Sequence, residues 1–214
     1  MKFLKTIAIV SLFFNVIPVF SQLDYIHYFP PLKQATNNQA LQNQRFYFST
    51  PELVPFDISV YRGTNTSPIA VISGLSKSTP KTYNPGDGDN NKTLVTNTNT
   101  GVVLSNSGLR FESANGQKFY VNFRGRSGSQ AGSLTCKGQA ALGTDFRWGG
   151  IPNRAVTDGR LNSCMGIIAS QDNTTVTISG YDSNCEFRLT NDPDGITANS
   201  ISITLQAGQS YVLE

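Results

Sequence analysis

The chain has 214 residues, 17 Lys and Arg against 14 Asp and Glu, a formal charge of +3 and only 14% charged residues. Nothing in that balance supplies the clustered cations of a DNA- or RNA-binding surface, so a nucleic-acid role is excluded. Scarce charge beside abundant Thr, Ser, Asn and Gly also disfavours long amphipathic helices, and the length suffices for one large β domain or two small ones.

Residues 1–21 read as an export signal. Lys2 and Lys5 make a positive start, and an apolar run from Ile7 to Phe20 follows, interrupted by Asn15 and Pro18. Val19 and Ser21 then form a small-residue cleavage site before Gln22. The run is shorter than the roughly 20 apolar residues of a membrane span. The expected mature region is 22–214, secreted or held at the cell surface without a membrane span, and its charge falls to +1 once Lys2 and Lys5 are gone.

Alternating runs separated by turn residues predict an all-β, antiparallel sandwich. Arg45–Ser49 comes first, followed by a strand in which Phe56, Ile58 and Val60 face one side and Asp57, Ser59 and Tyr61 the other. After Pro68 come IAVISGL, Gly101–Leu104, Leu109–Glu112 and Lys118–Phe123, the last with Phe119, Val121 and Phe123 inward. Gly166–Ala169, Thr174–Ile178, Glu186–Leu189, Ile201–Leu205 and Tyr211–Leu213 complete the set. The clusters at 84–91, 113–117, 191–195 and 206–209 supply turns. STPELVPFDISVYRG (49–63) and ASQDNTTVTISGYDS (169–183) echo one another, which suggests two related β units, 22–124 and 125–214.

The residue inventory offers little for catalysis. His27 is the sole histidine, with no partners for a metal site or a nucleophilic triad, and it reads as part of an amino-terminal strand or extended arm. Glu52, Glu112 and Glu186 belong to no motif, so a glycosidase pair would have to be assembled by the fold. Oxygen side chains at Asp87, Asp89 and Asn91 could wrap a calcium ion, but Lys92 and Thr98 stand where an EF-hand needs its glycine and glutamate. A solvated turn explains the same residues, and no other cofactor is implied. Cys136, Cys164 and Cys185 are an odd number in an exported chain, so at most one internal bridge forms; Cys164 with Cys185 is the favoured pair, and three buried thiols are the alternative.

Binding residues are easier to nominate. Trp148, the only tryptophan, stands with Arg147 before Gly149 and Gly150, a combination suited to a sugar ring or a partner surface. A solitary tryptophan in a β domain more often packs inside. Arg124 and Arg126 could hold an acidic polysaccharide or simply solvate a loop.

The segment Phe119–Gly150, with QAGSLTCKGQAALGTDFRWGG (130–150) as its sharpest part, departs from the strand rhythm. Together with DYIHYFPPL (24–32), YFSTPELVPFDISVYRG (47–63) and GIIASQDNTTVTISGY (166–181), it resembles the amino-terminal region of large surface proteins of gliding Bacteroidota, a class typically exported by type IX secretion. These blocks are also similar to the amino-terminal domain of the immunoglobulin-Fc-binding protein. The resemblance, which spans about 24–214, implies a β-rich adhesin or display module rather than an enzyme. Surface polysaccharide or a cell-envelope protein is the implied partner. Such relatives are longer and carry repeats and a sorting domain, so the chain reads as a fragment of a larger product. A secreted carbohydrate-binding or carbohydrate-active module is the alternative.

Overall fold

The computed structural model describes residues 22–33, 40–150, 163–189 and 195–214. The expected signal at 1–21 and most of the turn at 191–195 lie outside these residues. The described chain is almost wholly β, as its composition predicts.

Two four-stranded antiparallel sheets form the larger part. The first contains β1 (Ile26–Phe29), β4 (Phe56–Arg62), β5 (Ala70–Leu75) and β8 (Leu109–Ser113), in the order β1-β8-β4-β5. The second contains β3 (Gln42–Ser49), β6 (Lys81–Tyr83), β9 (Tyr120–Ser127) and β10 (Gln130–Thr135), in the order β10-β9-β3-β6. A short parallel pair, β2 (Leu32–Lys33) with β7 (Leu94–Val95), closes one end.

The sheets face each other through alternate, mostly large and apolar residues on β3, β4, β8 and β9. Phe56, Ile58 and Val60 on β4 are buried, as are Phe119 beside β9 and Val121 and Phe123 within it, which is the alternation predicted from sequence. Phe46 lies at the centre, its ring 4.8 Å from Phe111, 5.0 Å from Phe123 and 5.1 Å from Phe29. Tilted and edge-on ring pairs of this kind add about 0.5–1.5 kcal/mol each beyond burial.

A second core begins after this one. It is built from β11 (Met165–Ile168), β12 (Thr174–Ile178), β13 (Glu186–Phe187), β14 (Ile196–Thr197), β15 (Ile201–Leu205) and β16 (Ser210–Leu213). These pair antiparallel as β11 with β16, β12 with β15 and β13 with β14, around Ala169, Phe187, Leu205, Tyr211 and Leu213. The first core draws on residues as late as Cys136, so the change of core falls beyond it. A boundary at 124/125 would cut through β9, whose pairing with both β3 and β10 crosses that point.

The two parts are joined by backbone hydrogen bonds. Leu104 and Ser210 exchange N–H to C=O bonds of 2.9 Å each, and the Gly101 N–H donates to the Val212 carbonyl at 2.8 Å. Residues 101–104, expected as a strand, contribute only the single bridge at Leu104. Their partner is a strand nearly 110 positions later in the chain, which local alternation does not report.

Candidate binding surface

Residues 139–150 leave the end of the sandwich where β1 begins. Asp24 anchors this segment: its carboxylate accepts the Gln139 N–H at 2.7 Å, while the Gln139 amide donates to the Tyr25 hydroxyl at 2.6 Å. Beyond that anchor the apolar side chains point outward. Leu142 is 46% exposed, Phe146 67% and Trp148 53%. The sequence preference for a buried tryptophan is therefore overturned: residues 142–148 form no strand and reach neither core. The indole instead lies over Gly150, in space that a Cβ there would need. Arg147 pairs with Asp145 at 3.4 Å, both well exposed, a contact worth little in water.

Arg124 and Arg126 occupy the outward face of β9 rather than a loop. In place of a loop there is a hairpin, with β10 paired to β9 from Gln130↔Ser127 to Thr135↔Asn122. All six residues of β10 are exposed, so this edge strand lacks the apolar alternation by which a strand is recognised. Arg124 stands opposite Arg45 of β3, a residue that sequence reasoning did not nominate. Further along the same face, Tyr47, Tyr120, Thr82, Asn122 and Thr135 line a groove of about 340 Å³.

Residues 84–93 form a hydrogen-bonded loop. The Asp87 carboxylate accepts the Gln44 N–H at 3.1 Å, and the Asn91 side-chain oxygen accepts from Asn99 at 3.0 Å. Buried Gln44 reaches across to Thr93 and donates to the Gly88 carbonyl at 3.0 Å. Asp87 and Asn91 thus already have protein donors, and the solvated-turn account suffices for this loop's shape. Calcium remains an expectation of composition.

The three cysteines are free thiols, so the Cys164–Cys185 bridge expected from sequence is not formed. Cys164 lies near Lys33 and Glu214, whereas Cys185 packs on the second core. Burial pushes the Cys164 thiol above its ordinary range, and the same cause raises fully buried Cys136 much further. Burial thus disfavours the thiolate at both.

The carboxylates considered for glycosidase chemistry are scattered over a loop, β8 and β13. Glu112 lies 3.7 Å from Arg110, which stacks 4.3 Å from the centre of the Tyr61 ring. Among the described residues no group of three or more His, Cys, Asp and Glu side chains is placed to hold a metal. His27 is completely buried on β1. Its Nε2 donates to the Phe119 carbonyl at 2.7 Å and approaches that of Asp24 at 3.3 Å, while buried Nδ1 has no hydrogen-bond partner among the described residues. Desolvation lowers its pKa, opposed by the Phe119, Asp24 and Cys136 carbonyls and by the negative charge of Asp24.

Residues 131–214 match the model of the family described as IgGFc binding protein. The match begins within β10 and includes the exposed Leu142–Trp148 segment and the whole second core. No curated protein and no solved structure matches the chain. Among the described residues no helix is long and apolar enough to cross a membrane.

Proposed function

We propose that this chain is an exported, non-catalytic binding module that presents residues 142–148 to a protein partner, as an adhesion or display element at the cell surface. One observation carries the reading: Leu142, Phe146 and Trp148 stand out from the fold within the stretch that matches a family named for binding immunoglobulin Fc. Large aromatics left in water on an anchored segment are the side chains that dominate protein interfaces. Export, the adhesin role and any association with type IX secretion rest on the signal-like leader and the sequence resemblance.

The direct test is surface-immobilised mature chain presented with immunoglobulin Fc and, separately, with solubilised cell-envelope proteins. Trp148→Ala and Phe146→Ala should each weaken the detected interaction by about 2 kcal/mol, roughly thirtyfold. Unchanged affinity in both variants, with their folds intact by circular dichroism, removes the segment as the contact.

A further inference from the structure

The outward face of the second sheet carries charge that the fold does not need. Arg45 on β3 stands directly across from Arg124 on β9. Arg126 follows two residues later on the same face, roughly 7 Å along the strand. All three are exposed. Like charges directly opposite on neighbouring strands are unfavourable. No ion pair relieves this one: among the described residues Arg45 and Arg124 have no side-chain partner, and Arg126 donates to the Gly128 carbonyl at 3.2 Å. The outward positions of β3, β6, β9 and β10 include no Asp or Glu. Unpaired guanidinium forks suit carboxylate or sulfate oxygens.

The same two central strands continue into the tyrosine groove. A cross-strand row runs Thr82, Tyr47, Asn122, Thr135, with exposed Tyr120 beside it. Phenol rings offer flat apolar faces, and the short polar side chains between them can bond to hydroxyls. From Tyr120 to Arg126 the face extends roughly 20 Å, long enough for several sugar rings.

We propose that this face binds an acidic polysaccharide, whose rings lie on Tyr47 and Tyr120 while its carboxylates or sulfates meet Arg45, Arg124 and Arg126. An acidic peptide would answer the arginines but leave the tyrosine groove without a role. A neutral glycan would do the reverse.

The full chain is tested on immobilised heparin and polygalacturonate, with neutral dextran and polyglutamate as comparisons. Binding to the two acidic polysaccharides should weaken as salt rises. Arg124→Gln and Arg45→Gln should each reduce it about tenfold, and Tyr47→Ala should also lower it, while Lys77→Gln, on the turn after β5, leaves it unchanged. Removing one guanidinium relieves the like-charged pair, so Arg124→Gln should melt no lower than wild type at low salt, which separates a lost contact from a lost fold. Trp148→Ala should retain polysaccharide binding, so this surface stands or falls apart from the protein-contact segment. Wild-type affinity in Arg124→Gln, or an equal loss in Lys77→Gln, overturns the proposal. Preference for polyglutamate over both polysaccharides overturns it in favour of an acidic peptide.

Discussion

His27 illustrates how burial can outweigh hydrogen bonds in setting the behaviour of a titratable side chain. Its folded pKa lies below the ordinary 6.5, so the folded chain takes up a proton less readily than the unfolded one. The neutral imidazole's contribution is full above about pH 6.5 and is lost as pH falls through that value toward the depressed one. The midpoint of thermal unfolding should therefore drop between neutral pH and about pH 5, and His27→Gln should show a shallower drop over that interval. Equal slopes would mean that other groups govern the acid response. Nothing at the sequence level distinguished this histidine from an arm residue, because the Phe119 carbonyl that holds its Nε2 is 92 positions away.

At the scale of single elements, the alternating strands were legible, as were the short β11, β13 and β16, while several unpatterned ones were not. β4, β8 and β9 alternate strictly, since one face of each meets the opposing sheet and the other meets water. β2, β7 and β14 are two residues each, too few for any period to emerge. β10 has length but is exposed throughout, and it is a strand because β9 offers it a hydrogen-bonding edge. Phe46 marks the opposite extreme, completely buried on β3 with aromatic partners from four other strands. Phe46→Ala should cost about 3–5 kcal/mol in chemical denaturation, whereas Tyr47→Ala, one position along and facing outward, should cost far less. Comparable losses at the two positions would contradict the assigned faces of β3.

Across the whole molecule, the junction between the two cores depends on close backbone approach. Gly208 has φ +82° and its α-carbon faces the Gly63 carbonyl, so a Cβ there meets both an unfavourable backbone conformation and main-chain atoms of the first part. A Cβ on Gly166 would likewise run into the Pro31 carbonyl. Gly208→Ala should destabilise the chain by about 1–3 kcal/mol, lowering its melting temperature by several degrees. An unchanged melting temperature would show that the two parts do not rely on that contact. The Leu104–Ser210 bridge adds backbone hydrogen bonds between the same two parts.

By itself the sequence determined the fold class and the inward faces of the long strands, because alternation is a local property imposed by the geometry of an extended chain beside water. It also determined which residue types could make contacts, naming Trp148, Arg124 and Arg126. Tertiary structure alone decided that Trp148 points outward, that Arg124 faces Arg45, that the three thiols are unbridged, and that the first core continues past residue 124 to Cys136. Each of these depends on strand register or on contacts between residues far apart in the chain, and such pairings arise only when the sheets assemble.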